Sequence, residues 1–211
     1  LRTPLTSIRA LTELMLDDPE MEWEQQAQFL DIILAEAERL GRLVNQVLDM
    51  AKIEAGHAEW HSSDVDMRAV VMQAVTSISA TYSEKGIILT VDSSDQVATI
   101  RADSDRLMQV ILNLLSNAAK FVERGRGVVT VIWRDAPEGV TVEVNDNGMG
   151  IAPDKQDLVF EKFRQVENST QQGTGLGLPI SRQIVEHFGG HMWLRSALGQ
   201  GACFGFFLPR V

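Results

Sequence analysis

The first quarter of the chain carries apolar residues three and four positions apart, the spacing of a helix that packs along one stripe. The pattern is interrupted once, at Asp17-Asp18-Pro19-Glu20, which predicts two helices. Asp18 suits an N-cap and Pro19 suits the first helical position, where a backbone N–H would have no partner. We therefore expect the second helix to begin there. Its stripe comprises Leu30, Ile33, Ala37, Leu40, Val44, Val47 and Ala51.

A hairpin of two such helices is too narrow to bury its apolar positions by itself. The first helix contributes a similar stripe, formed by Leu1, Leu5, Ile8 and Met15. We therefore predict that residues 1–56 of two copies form a dimeric four-helix bundle, with Trp23 in the helix seam. A long helical linker is the alternative.

A linker is predicted from Gly56 to about Ser63. After it, apolar residues recur at every second position in some segments and at every third or fourth position in others, and we assign residues 57–211 to one domain. Helices are expected over Met67–Ser83, capped by Asp66, then from a cap at Asp103 or Ser104 to about Glu123, and over Leu176–His187. Strands are expected at Ile87–Val91, Val97–Ala102, Val128–Trp133, Val140–Val144, Met192–Arg195 and Phe204–Leu208. Hairpins interspersed with helices predict an α+β fold, a two-layer α/β sandwich with helices on one face of a mainly antiparallel sheet. Trp133 and Trp193 are expected in its core.

Composition narrows the class of protein. The 211 residues carry a formal net charge of −10, which argues against nucleic-acid binding but not against nucleotide binding by a local nest of amides. Cys203 is the single cysteine, so neither an intrachain disulfide nor a cysteine-based zinc site is expected. The sequence contains no run of 18 apolar residues, so no membrane span is predicted. Because the chain opens on Leu1 without a signal-peptide pattern, we expect it to be a fragment of a longer protein.

Three polar residues recur on one side of the helix that follows Asp103. Asn113, Asn117 and Lys120 are four and three positions apart, hence on one face, and their neighbours are apolar. An amide oxygen is a ligand that Mg²⁺ accepts, and a lysine supplies a point charge for phosphate. A solvated polar stripe is the alternative.

A second motif, Asn145-Asp146-Asn147-Gly148-Met149-Gly150, follows a predicted strand. Its glycines permit a close approach of the backbone to a flat ligand. A desolvated Asp146 could accept a hydrogen bond from the exocyclic amine of adenine, whereas the carbonyl of guanine would leave the carboxylate unpaired. A simple turn is the alternative.

A third motif, Gly173-Thr174-Gly175-Leu176-Gly177-Leu178, opens a helix. Closely spaced glycines at a helix N-terminus present backbone amides to an anion such as phosphate. Between the second and third motifs, residues 151–172 predict a mobile lid anchored by Phe160 and Phe163. A structural glycine-rich loop and two ordinary core phenylalanines are the alternatives.

The order of these motifs is more specific than any one of them. An asparagine helix, a D-x-G-x-G turn, an F-x-x-F lid and a GTGLGL loop resemble the ATP-binding domain of histidine kinases, a group that includes DNA gyrase, the heat-shock ATPase chaperone and mismatch-repair ATPases. Leu1-Arg2-Thr3-Pro4-Leu5 is similar to the tail of the phosphoacceptor motif H-[ED]-L-R-T-P-L, which opens the dimerisation helix. The resemblance therefore covers the whole chain.

The resemblance implies a protein histidine kinase of a two-component system that uses ATP and Mg²⁺. Asn117 would ligate magnesium, Asn113 would assist at the phosphates, and Lys120 would contact phosphate. Asp146 would read the adenine amine, and Thr3 would assist a phosphatase reaction. The other residues implied to contact the nucleotide are Gly148, Gly150, Ile151, Phe163, Gly173, Thr174, Gly175, Leu176, Gly177 and Leu178.

The implied partners are a second copy of the chain and a response-regulator receiver domain, whose aspartate would take the phosphoryl group. The resemblance implies a cytoplasmic kinase core without membrane contact of its own, in a full-length protein that is membrane-associated. The chain departs from the pattern in two places: the acceptor histidine should precede Leu1 by two positions, and the polar segment between Val166 and Gly173 is short. A conformational ATPase of the same superfamily and a scaffold with a decayed nucleotide site are the alternatives.

Overall fold

The computed structural model describes residues 2–93, 99–164 and 174–210, which form two compact units, residues 1–58 and 59–211. The predicted boundary at 56/57 lies two residues from this division. The helices are α1 (Arg2–Asp17), α2 (Trp23–Glu54), α3 (Met67–Glu84), α4 (Ser104–Phe121) and α5 (Gly177–His187). The strands are β1 (Ser63–Asp66), β2 (Ile88–Ser93), β3 (Thr99–Ala102), β4 (Val128–Ala136), β5 (Gly139–Asp146), β6 (His191–Ser196) and β7 (Ala202–Pro209).

The predicted helical hairpin is present, but its second helix begins later than predicted. The amide of Asp18 still bonds the carbonyl of Leu14 (3.3 Å), and the amide of Met21 bonds the carbonyl of Asp18 (3.2 Å). Pro19 therefore occupies the second position of a turn, where its fixed φ is equally suitable, and not the first position of a helix. Helix α2 starts four residues further on, at Trp23.

The stripe predicted on α2 is only partly covered within a single chain. Val44 is 43% exposed, Leu30 and Val47 are also exposed, and only Met50 of the whole helix is buried. Trp23 is 74% exposed, so the expectation of a seam position is not met within one chain. The hairpin thus leaves several apolar side chains of α2 exposed.

Residues 59–211 form the predicted two-layer sandwich. A five-stranded sheet has the order β2-β4-β5-β7-β6, in which only the β2–β4 pairing is parallel. Alternate residues of the strands are fully buried towards the helices, Trp133 and Phe206 being the largest. Trp193 differs from the prediction, because it is only half-buried: its indole lies against Gly205 on the other face of the sheet, where a Cβ would approach within 2.4 Å.

The linker is more structured than predicted. Strands β1 and β3 form a separate antiparallel pair, and β1 was not predicted. The ring of Trp60 stacks on that of His187 at 3.7 Å between centroids, and burial lowers the pKa of His187. The amide of His61 donates to the carboxylate of Asp103 (2.9 Å), which also caps α4. The end of the linker is therefore fastened to the ends of α4 and α5.

Candidate nucleotide-binding site

Helix α4 holds the first set of polar residues on a firmly anchored scaffold. Asp103, one of the two predicted caps, closes its first turn by accepting hydrogen bonds from the amides two and three positions on. Seven of its 18 residues are buried against the sheet and the neighbouring helices. Asn113, Asn117 and Lys120 are each half-buried, and their spacing places them on one side of this helix. The scaffold therefore holds two amides and an ammonium group in fixed register.

Asn113 joins the asparagine helix to the glycine-rich loop. Its Nδ2 donates to the carbonyl of Gly177 (3.3 Å) and to Oγ of Ser181 (3.2 Å). A Cβ at Gly177 would lie 3.5 Å from the Asn113 amide, so the backbone of α5 passes directly over it. Two of the three predicted motifs are thus in contact, although 64 residues separate them in sequence.

The second motif is built around Asp146 at the end of β5. Its Oδ1 accepts hydrogen bonds from the amides of Gly148 (2.8 Å) and Ala202 (3.3 Å). Burial raises the pKa of the Asp146 carboxyl, and these two amides oppose the shift. The carboxylate is thus fixed in orientation and partly desolvated, the environment in which recognition of a single donor is most selective.

The glycines of this turn are required by close backbone packing. A Cβ on Gly148 would lie 2.6 Å from the carbonyl oxygen of Phe121, the last residue of α4. Gly150 has a φ of +67°, and a Cβ there would lie 2.0 Å from the carbonyl oxygen of Ala197. The next amide, that of Ile151, donates to Oγ of Ser196 (2.8 Å). The turn is therefore held between α4 and the β6–β7 connection.

The glycine-rich loop is described from Thr174 onward, and Gly173 lies outside the described residues. The amide of Leu176 donates to Oγ1 of Thr174 (3.2 Å), and Gly175 has a φ of +69°. The Leu176 side chain is fully buried, so only its backbone could contact a ligand, whereas Leu178 is half-buried. The loop therefore leads into α5 with its backbone, and not its apolar side chains, available to an anion.

The two predicted lid phenylalanines have different surroundings. Phe160 is half-buried, 6.4 Å from the ring of Phe204, with the Arg182 guanidinium 5.6 Å from its centroid. Phe163 is 65% exposed with a φ of +61°, and its amide bonds the carbonyl of Gly175 (3.0 Å). This bond ties the start of the predicted lid to the glycine-rich loop. The polar run at 167–172 lies outside the described residues.

Thr3 belongs to the other unit. It lies in the first turn of α1 and is exposed. The structure therefore presents it on the surface of residues 1–58.

The donor groups fit magnesium bound together with phosphate. Among the described residues, no group of three or more histidine, cysteine, aspartate or glutamate side chains could hold a metal ion. Amide oxygens such as those of Asn113 and Asn117 remain as donors. Magnesium commonly uses one or two protein oxygens and completes its shell with phosphate and water, so this donor set suits a metal that arrives with a nucleotide.

Several residues of the site were missed from the sequence. Ser196 accepts from Ile151 and donates to the carbonyl of Gly201 (2.6 Å), and Gln156 donates to the carbonyls of Ile151 (3.0 Å) and Ser196 (2.8 Å). Gly201 has a φ of +77°, and a Cβ there would lie 1.9 Å from the carbonyl oxygen of Asp146. A sequence signal for Gly201 existed, since two glycines so close together in Gly199-Gln200-Gly201 indicate a turn. The polar contacts of Ser181, Ser196 and Gln156 depend on tertiary packing and have no local signature.

Comparison with known families matches both units. Residues 102–211 match the family described as histidine kinase-, DNA gyrase B-, and HSP90-like ATPase, and residues 1–56 match the His Kinase A (phospho-acceptor) domain. None of the described helices is both long and apolar enough to cross a membrane.

Individual relatives agree with these families. The chain is 34% identical to the circadian input-output histidine kinase CikA of Synechococcus elongatus over 99% of its own length and 28% of that protein's. Full-length ShkA, solved in complex with AMPPNP, is 32% identical with a TM-score of 0.77. The match covers the whole of this chain and 44% of ShkA. Histidine kinase ThkA, solved in complex with response regulator TrrA, has a TM-score of 0.80 at 22% identity, over the whole of this chain and 58% of ThkA. The chain thus spans less than half the length of the first two relatives.

Proposed function

Because this chain belongs to the family of histidine kinase-, DNA gyrase B- and HSP90-like ATPases and is a sensor histidine kinase catalytic core, we propose that it binds ATP with magnesium and phosphorylates a histidine. The observation that carries the proposal is the pair of hydrogen bonds from Asn113 to Gly177 and Ser181. Through these bonds a helix with metal-binding amides and a loop suited to phosphate form one site. ShkA, 32% identical, was solved with an ATP analogue.

In the proposed complex, Asp146 accepts a hydrogen bond from the adenine amine, and Gly148 and Gly150 leave room for the base. Asn117 holds the metal, with Asn113 and Lys120 at the phosphates. Magnesium, when bound, neutralises charge on the phosphates. The remaining contacts of the phosphates are with the backbone of residues 173–177, at the positive N-terminus of α5. Catalysis is then a matter of position and charge stabilisation.

The acceptor is a histidine two positions ahead of Leu1 in the longer protein. A bond forms between an imidazole nitrogen and the γ-phosphorus, while the bond from that phosphorus to the β–γ bridging oxygen breaks. ADP leaves with the electron pair, and the imidazole proton passes to solvent. The phosphoryl group then moves to an aspartate of a response-regulator receiver domain, consistent with the phospho-acceptor family of residues 1–56.

The apolar stripe of α2 supports a homodimer of this hairpin, since Leu30, Val44 and Val47 are exposed in one chain. Thr3, exposed on α1, is proposed to assist dephosphorylation of the same regulator. We place this kinase core in the cytoplasm, as part of a protein that is itself membrane-associated.

The decisive experiment restores the acceptor. Addition of His-Glu ahead of Leu1 should give acid-labile, base-stable label from γ-labelled ATP, whereas the unextended chain and a Gln-Glu extension should give none. Asn117→Ala in the extended chain should abolish the label. Equal labelling of the Gln-Glu chain would show that the acceptor is misplaced. ATP hydrolysis without labelling of the His-Glu chain would favour a conformational ATPase instead.

A further inference from the structure

Ser181 is a buried hydroxyl that the proposed reaction does not use. Among the described residues, only Asp103 and Ser181 are polar and buried, and Ser181 is fully inaccessible. The burial of Asp103 is explained, since it caps α4 and accepts from His61. A buried serine on α5 requires its own explanation, because an unpaired hydroxyl in such a place costs free energy.

The partner of Ser181 is the side-chain amide of Asn113 (3.2 Å). Gly177 and Ser181 are four residues apart and therefore lie on one side of α5, where both accept from the same nitrogen. An asparagine amide has two N–H donors. Both donors of Asn113 are thus engaged by α5, and Oδ1 remains as the acceptor.

The consequence concerns which way the amide faces. Rotation of an asparagine amide by half a turn exchanges its oxygen with its nitrogen. Because the carbonyl of Gly177 can only accept, that rotation would set two oxygens, Oδ1 and this carbonyl, against each other. The hydroxyl of Ser181 can accept or donate, so its contribution is to keep the amide beside Gly177, and without it one donor of Nδ2 loses its partner. A donor turned towards a metal ion would contribute no ligand.

We propose that Ser181 is a positioning residue for the nucleotide site: together with the Gly177 carbonyl, its hydroxyl holds the Asn113 amide so that Oδ1 faces the metal, and it couples the asparagine helix to the glycine-rich loop. This inference rests on the proposed ATP–magnesium site. It assigns to α5 a second role beside that of its N-terminus, since the helix that presents amides to phosphate also orients an oxygen on the neighbouring helix.

The test is a double-mutant cycle on ATP affinity, measured by titration calorimetry with Mg²⁺ and with EDTA. Ser181→Ala should weaken Mg–ATP binding about tenfold, the loss of affinity expected when one hydrogen bond is removed. In EDTA the loss should be much smaller. Asn113→Ala should weaken binding at least as much, and the double variant should bind no worse than Asn113→Ala alone. Ser77→Ala, which removes an exposed serine hydroxyl from α3, is the matched control and should leave binding unchanged.

Two results would overturn the proposal. One is additive losses in the double variant, and the other is equal losses with and without Mg²⁺, as a purely structural effect would give. Ser181→Cys, similar in volume but a weak hydrogen-bond partner, repeats the test if the alanine variant does not fold. Failure of the unmodified chain to bind Mg–ATP would instead refute the proposed function.

Discussion

Helices α2 and α4 are both amphipathic, yet they are buried to very different extents. Over 32 residues α2 buries only Met50, whereas α4 buries seven of its 18 residues. Helix α4 is covered by the sheet and the other helices of its own unit, while much of the stripe on α2 stays exposed in one chain. An apolar face therefore predicts that a helix needs a partner, but it does not identify the partner. On α4 the half-buried polar residues lie at the candidate site. On α2 the exposed apolar face is the proposed interface.

The largest effect is expected on α4, at the proposed metal ligand. Asn117→Ala should weaken Mg–ATP binding at least about 100-fold, since even residues that only support a ligand have effects up to that size. Ser116→Ala, at the exposed neighbouring position, should leave affinity unchanged. Both variants can be compared by titration calorimetry, with circular dichroism to confirm folding. Equal affinity of Asn117→Ala and the unmodified chain would remove the metal site from α4.

The corresponding change on α2 tests its proposed partner. Val44→Glu places a charge in the exposed stripe and should convert a homodimer to monomer, because a charge buried without a partner at an interface is strongly unfavourable. Asn45→Glu adds the same charge at the next, also exposed, position and should leave the dimer intact. Light scattering at micromolar concentration distinguishes the two. A monomeric unmodified chain would instead mean that the stripe of α2 does not hold a dimer.

A matched pair of glycines tests the turn behind Asp146. Gly199 and Gly201 have φ values of +76° and +77°, but a Cβ would meet nothing within 4 Å at Gly199 and the carbonyl of Asp146 at Gly201. Gly199→Ala should cost about 1 kcal/mol of unfolding free energy from left-handed strain, and Gly201→Ala at least about 2 kcal/mol because overpacking adds to it. Only Gly201→Ala should also weaken ATP binding. Urea denaturation and calorimetry measure both, and equal losses would contradict this packing.

The smallest effect concerns the charge of Asp146. A carboxyl with a raised pKa contributes stability that is present at low pH and is lost as the pH rises through its folded-state pKa. Asp146→Asn should therefore raise the free energy of unfolding of the nucleotide-free chain at neutral pH. This gain should shrink as the pH falls through the raised pKa. The same variant should bind ATP more weakly. Urea denaturation across pH checks the sign, and a gain that grows on acidification would contradict the assignment.

Much of the fold could be predicted because its signals are local. Asp66 and Asp103 are the N-caps of their helices, as their position before apolar periodic runs predicted, and the β4–β5 hairpin is present with its turn. The position of Pro19 was ambiguous, since the fixed φ of proline suits both a turn and the start of a helix, and in the structure Pro19 lies in a turn. Tryptophan was ambiguous as well: Trp133 is in the core, but Trp23 lies on the surface of one chain.

The site could be predicted in its motifs but not in its supports. Glycine spacing and polar residues on one helix face are visible in the sequence, and they identified Asn113, Asp146 and the loop at Gly175 as candidates. The contacts of Ser181 and Ser196 arise only when distant segments pack, because a lone serine has no pattern around it. The difference in burial between α2 and α4 has the same cause, since tertiary and quaternary packing decide what covers an apolar face.

The most direct measurement is calorimetric titration of the unmodified chain with ATP and with GTP, each with and without Mg²⁺. If α4, Asp146 and the glycine-rich loop form the nucleotide site, ATP should bind once per chain in a Mg²⁺-dependent manner. GTP should bind at least about 100-fold more weakly, because its carbonyl cannot donate to Asp146. Equal affinity for the two nucleotides, or no binding of ATP with Mg²⁺, would contradict the account.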